Sequence, residues 1–201
     1  MRARPIARPH HADLLAEVRG CAACTDLPLG PRPVLRGLPT ARLVIISQAP
    51  GTRVHETGLS FNDRSGDRLR LWLGIDRDTF YDESRVAILP MGLCYPGRLP
   101  QGGDRPPRPE CAPLWHERVL ALWPDIALTL LVGSYAIDYY LAEARKPSMT
   151  QTVQAWQDYL PRRLLPLPHP SWRTIGWEKR NPWFAAEVLP ALQRRVRNLL
   201  R

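Results

Sequence analysis

Leu43-Val44-Ile45-Ile46-Ser47-Gln48-Ala49-Pro50-Gly51 runs four strand-forming apolar residues straight into a polar turn. A run that is apolar at every position, rather than at alternate ones, marks a strand covered on both faces. The Pro-Gly pair then ends it. Further along, Leu164-Leu165-Pro166-Leu167-Pro168 ends in the same manner, in His169-Pro170-Ser171. Open α/β sheets build their ligand sites at the carboxyl ends of such strands, so both turns are candidate site elements.

Working outward from these two runs, apolar segments at Arg42–Ser47, Arg85–Pro90, Ile126–Val132 and Arg163–Leu167 predict four strands. Helices are predicted between and around them. Ala12–Arg19 ends near Gly20, and Ser65 caps a helix through Leu73 that Gly74 ends. Leu114–Trp123, Ser134–Ala142 and Thr150–Tyr159 follow. Asn181 then caps a last helix, with Pro182 at its first position and Phe184, Val188, Leu192, Val196 and Leu199 on one face. Strands alternating with helices predict an α/β three-layer sandwich, a parallel sheet flanked by helices on both faces.

At 201 residues the chain suits one such domain, over residues 1–201, and is short for two. Its longest apolar runs are strand-length and well short of a membrane span. The basic start Met1-Arg2-Ala3-Arg4-Pro5 is followed by no apolar segment. The expectation is a soluble, cytoplasmic monomer that neither enters a membrane nor is exported. Lys and Arg number 28 against 19 acidic residues, a formal charge of +9, which suits a polyanionic partner such as DNA. Biased Arg usage accounts for the same excess, since Lys146 and Lys179 are the only lysines. The 22 prolines are about twice the usual share. They gather in Leu27–Pro39 and Tyr95–Pro113, which read as long ordered loops.

Four cysteines form one tight pair, Cys21 and Cys24, and one wide pair, Cys94 and Cys111. Four thiolates complete either an iron–sulfur cluster or a zinc site. A zinc ribbon normally shows two tight pairs, and disulfides are disfavoured in a chain without an export signal. Four unrelated core cysteines are the remaining alternative.

Together these residues resemble the uracil-DNA glycosylase superfamily, most closely its iron–sulfur branch. The resemblance rests on Cys21 and Cys24, Gln48-Ala49-Pro50-Gly51, Phe61 within Gly58–Gly66, the pair Cys94 and Cys111 beside Pro-rich sequence, and His169-Pro170-Ser171. It implies a four-stranded parallel sheet and a 4Fe–4S cluster held by the four cysteines, with zinc as the alternative. The implied activity is hydrolysis of the bond between a deaminated base and its sugar in DNA. Such enzymes flip the base out of the stack at a cost of a few kcal/mol.

Each motif then acquires an expected role. His169 donates a hydrogen bond to the pyrimidine O2 as charge develops on the leaving base. Gln48 and Gly51 present the turn to base or sugar, with Ala49 and Pro50 lining the base pocket and Phe61 stacking on the flipped ring. An apolar ring inside Ser60-Phe61-Asn62-Asp63 is a poor core segment, which favours that stacking role. Ser171 binds a DNA phosphate. Trp172 or Arg173 wedges into the base stack, where an aromatic beside a guanidinium suits stacking.

Two positions depart from the resemblance. Another branch of the superfamily orients its attacking water with an Asp where Ala49 stands, a departure that the iron–sulfur branch shares. His55 and Glu56 are candidates to hold that water. The iron–sulfur branch also reads the uracil edge with an Asn four residues before its third cysteine, and here that residue is Pro90. The loop Tyr95–Pro109 also differs from that branch, but its Arg98, Arg105 and Arg108 are placed to follow a DNA backbone. Three functions fit: a DNA glycosylase, a non-catalytic binder of damaged or single-stranded DNA, and a hydrolase of free nucleosides or nucleotides. The basic charge and the Trp172-Arg173 pair weigh against the third.

Overall fold

A computed structural model describes residues 11–201, and the basic stretch Met1–Pro5 lies outside the described residues. Four strands, β1 (Leu43–Ile46), β2 (Val86–Ile88), β3 (Leu128–Val132) and β4 (Leu164–Leu167), form one sheet in the order β2-β1-β3-β4. Every pairing is parallel. Leu43 stands beside Val86 and Leu128, and Ile46 beside Leu131, which in turn faces Pro166 of β4. The sheet is the four-stranded α/β arrangement expected from the apolar runs. The strands are one to three residues shorter than those runs.

The uninterrupted burial of β1 has a simple cause. Val44 and Ile46 enter a core that also holds Leu14 and Val18 of α1 (His11–Arg19), Trp115 and Val119 of α5 (Cys111–Leu120), and Ile137 of α6 (Ser134–Leu141). Leu43 and Ile45 point to the opposite face. There they meet Leu69 and Leu73 of α3 (Arg64–Leu73), Trp156 of α8 (Trp156–Tyr159), and Leu192 and Val196 of α10 (Leu189–Leu199). A two-residue period therefore feeds two cores, and neither face tolerates a polar residue.

Helix starts differ from expectation at several places. Asp63, not Ser65, caps α3 by accepting from the Gly66 N–H at 2.9 Å, and Gly74 closes the helix in the left-handed conformation. Asp63 has the extended backbone that a cap requires, whereas Ser65 already lies inside the first turn. The predicted 150–159 helix is two, α7 (Met149–Gln154), capped by Ser148, and α8. Asn181 ends α9 (Thr174–Arg180) rather than starting the last helix. The apolar face from Phe184 to Val196 begins in a π turn, Phe184–Val188, that runs into α10. Two short helices, α2 (Thr52–Thr57) and α4 (Arg77–Tyr81), carry too little periodicity to be seen in sequence. Among the described residues no helix is long and apolar enough to cross a membrane.

One buried polar pair sets the turn after β2. His116 of α5 donates from Nε2 to the Pro90 carbonyl at 3.0 Å, which fixes the tautomer and leaves Nδ1 to accept from the Tyr140 hydroxyl at 2.6 Å. Burial pulls His116 down from 6.5 to about 4. Folded and unfolded states are both neutral there above pH 6.5, whereas at lower pH only the unfolded imidazole takes up its proton readily. Stability is therefore lost as pH falls from 6.5 toward 4. Between pH 7 and pH 4 the wild type should lose about 3 kcal/mol more than His116→Gln, measured by urea unfolding at each pH.

Candidate functional site

The carboxyl ends of the four strands leave the same edge of the sheet, and a cavity of about 500 Å³ opens there. From the end of β1 come Gln48, Ala49, Pro50 and Gly51. The turn before α3 supplies Phe61, and the turn after β4 supplies His169, Ser171, Trp172 and Arg173. These nine candidates thus line one wall or the rim of a single cavity. His55 and Glu56, by contrast, do not line it. They ride on α2, whose short helical path carries them away; His55 packs near Tyr95, and Glu56 is exposed.

The first motif is held by an extension of the ladder. Met91 N–H donates to the Ser47 carbonyl at 2.8 Å, and Gly92 N–H to the Gln48 carbonyl at 3.0 Å. This keeps Pro90 on the cavity wall beside Gln48. His169 rests on the far side against Gly133, the residue that follows β3. A Cβ built on Gly133 stands 3.5 Å from the His169 Cβ, and its φ of +91° suits glycine. The His169 carbonyl accepts from the Ser171 N–H at 2.8 Å and from the Thr174 hydroxyl. Burial lowers the pKa of His169, while the charge of Asp63 acts the other way. The imidazole is therefore a neutral hydrogen-bond donor near physiological pH.

Phe61 serves the core and the cavity at once. It is 8% exposed and meets Phe80 edge-on with centroids 5.9 Å apart, yet it also lines the cavity. Its φ of +57° is unusual for a residue with a Cβ. Three contacts pin the turn: Tyr81 donates to the Ser60 carbonyl at 2.9 Å, Arg70 donates to the Phe61 carbonyl at 3.4 Å, and Gly66 sits directly beneath.

At the rim, Trp172 is 75% exposed, with the Arg173 guanidinium 5.6 Å from its ring centroid. The Ser171 carbonyl accepts from Arg68 at 2.7 Å, and Arg68 pairs with Glu178. Of the loop arginines, Arg108 is tied to Asp26 at 2.5 Å, and Arg105 donates to the Arg98 carbonyl at 3.3 Å.

Sequence reasoning missed four polar residues of the cavity: Ser60, Asp63, Ser65 and Asp104. Ser60 is 5% exposed and its hydroxyl has no hydrogen-bond partner among the described residues. The only sequence signal for Asp63 was its position three residues before Gly66, which fits a helix cap as well as a site.

A second pocket, beyond Gly92, is lined by Cys21, Cys24, Cys94 and Cys111 together. Cys21 and Cys24 come from the segment after α1, Cys94 from the loop after β2 and Cys111 from the start of α5, and Arg118 pairs with Glu17 between α5 and α1. All four are free thiols. The Leu93 N–H donates to Cys111 Sγ at 3.3 Å, and burial raises Cys94 and pushes Cys111 up to about 11. Among the described residues, no group of three or more His, Cys, Asp or Glu is arranged to hold a single metal ion.

The close approach of Gly66 to Phe61 makes a direct test. A Cβ on Gly66 falls 1.7 Å from the Phe61 carbonyl oxygen, a backbone clash that no side-chain motion relieves. Gly66→Ala should lower stability by about 2 kcal/mol or more in urea unfolding.

Comparison with known families agrees with this geometry. The family model described as Uracil DNA glycosylase superfamily matches residues 36–193, from just before β1 into α10. That span takes in the whole sheet and every residue of the large cavity, and the chain belongs to the uracil-DNA glycosylase superfamily.

Proposed function

We propose that the protein is a DNA glycosylase that hydrolyses the N-glycosidic bond of uracil or a related deaminated base. One observation carries the reading: three separate turns, around Gln48–Gly51, Phe61 and His169–Arg173, converge on one cavity in a chain of this superfamily. At about 500 Å³ the cavity falls within the usual range for small-ligand pockets, which suits a flipped nucleotide.

The roles follow from position. Phe61, pinned at its carbonyl, offers a fixed ring face on which the base stacks. His169, neutral through burial, donates to the base oxygen as the glycosidic bond breaks and negative charge moves onto the leaving ring. Gln48 and Gly51 border the base and sugar. Ser171 lies where a phosphate passes, and exposed Trp172 with Arg173 fills the gap left in the stack. Pro90 offers no side-chain amide to the base edge. The Ser60 hydroxyl, without a partner among the described residues, is a buried polar group lining the same cavity that can donate or accept there.

We also place the chain in the iron–sulfur branch, with Cys21, Cys24, Cys94 and Cys111 as ligands of a 4Fe–4S cluster. The donor set fits. Four thiols line one pocket and one of them already accepts a backbone N–H, a donor set that suits a cluster, with zinc as the alternative. A bound cluster would supply a crosslink between the N-terminal segment and the loop that carries Cys94 and Cys111. Non-catalytic binding of damaged DNA is the second reading, favoured by Pro90 where the branch has its base-reading Asn.

Base release from an oligonucleotide holding one uracil, read as alkali-sensitive cleavage, tests the activity. His169→Ala should slow release about 100-fold or more with DNA affinity largely intact, and full activity in that variant would overturn the mechanism. Anaerobically purified protein should contain iron and acid-labile sulfide, and Cys94→Ala should lower the melting temperature rather than the rate. Protein with neither iron nor zinc would remove the metal centre.

A further inference from the structure

Ala49 brings no carboxylate to the first motif, and the cavity supplies carboxylates from elsewhere. Two line it, Asp63 and Asp104. Asp63 is committed through Oδ1 to the Gly66 N–H as the cap of α3. Asp104 has no ion pair or side-chain hydrogen bond among the described residues. It sits on a small hairpin within the Pro/Gly-rich loop: Arg98 and Asp104 form an antiparallel bridge, Arg105 N–H donates to the Gly97 carbonyl at 2.8 Å, and Leu99 N–H to the Gly103 carbonyl at 2.9 Å. Gly102 and Gly103, with φ of +91° and +87°, make the turn that brings the chain back toward the cavity.

The carboxylate faces the first motif. A Cβ built on Gly51 would stand 3.4 Å from Asp104 Oδ2, so the bare backbone of Gly51 leaves that oxygen its room. We propose that Asp104 is a catalytic carboxylate that holds and deprotonates the attacking water, from a loop rather than from the first motif. The proposal rests on the glycosylase reading. As the C1′–N bond breaks, its electron pair leaves with the base. The water oxygen bonds to C1′ and its proton passes to Asp104, which returns it to the departing base, so that one water is consumed and Asp104 is regenerated.

Asp104 is exposed at the cavity rim; partial desolvation raises its pKa above the usual carboxylate value, Arg98 lowers it, and Asp63 raises it again. His169 shares the cavity, and the Arg173 guanidinium lies 3.7 Å from a Cβ position on Gly103, next to Asp104. A less acidic carboxyl is the stronger proton acceptor once ionised.

The test is single-turnover base release from the uracil oligonucleotide across pH, for wild type, Asp104→Asn and Asp104→Glu. In the wild type the rate should fall as pH drops through the Asp104 pKa. Asp104→Asn should be about 100-fold slower or more, bind DNA as the wild type does, and lose that acidic limb. Asp104→Glu should keep a limb at a shifted position, which decides the matter if the Asn variant does not fold. A wild-type rate and profile in Asp104→Asn, or an unshifted limb in Asp104→Glu, overturns the role of Asp104 alone. No release by the wild type overturns the glycosylase reading and this role with it.

Discussion

Parallel pairing of β1 with both neighbours is the constraint on which the site depends. A parallel sheet sends every strand out of the same edge, so register alone decides which turns meet. Ile46 stands level with Leu131, and Leu131 with Pro166. Two residues beyond those positions lie Gln48, Gly133 and Pro168, with His169 next. The ladder also outlasts the strands, because the Ser47 and Gln48 carbonyls still accept from Met91 and Gly92. Those two bonds carry the order of the sheet into the cavity wall and hold Pro90 against the first motif.

Much of this was legible in the sequence, for a physical reason. A strand buried on both faces is apolar almost throughout, so Leu43–Ile46 announces itself without knowledge of its partners, and Leu128–Val132 does so with only the half-buried Thr129 interrupting it. The motif residues were legible because each follows such a run. The losses share another cause. Asp63 and Ser65 are equally good caps by type, and only the fold shows which meets Gly66. Helices α2, α4 and α9 have five to seven residues, too short to show a periodic face. Ser60 and Asp104 look like ordinary loop residues, because tertiary contacts far from them in sequence aim them at the cavity. His55 and Glu56 lay close to the motif in sequence, yet a single helical turn was enough to carry them off its wall.

The basic charge is also less available than the composition implies. Arg36, Arg68, Arg108 and Arg118 each have an acidic partner, and Arg70 is buried against Asp67 and two aromatic rings. These guanidiniums act as construction elements: Arg68 steadies the Ser171 carbonyl and Arg70 the Phe61 turn. Electrostatic attraction to a polyanion then falls on the remainder, with Arg173 at the cavity mouth best placed among them.

Residues 90–94 belong to two places at once. Pro90 is a wall of the large cavity, while Gly92, Leu93 and Cys94 line the pocket of four thiols. Met91 and Gly92 are fastened to the β1 end, Pro90 to His116, and Leu93 to Cys111. A segment bonded at nearly every residue has no slack in which to absorb a change at one end. The two pockets are therefore not free to diverge separately over evolutionary time: a substitution accepted for the sake of one shifts the wall of the other, and their histories are joined through five residues of backbone.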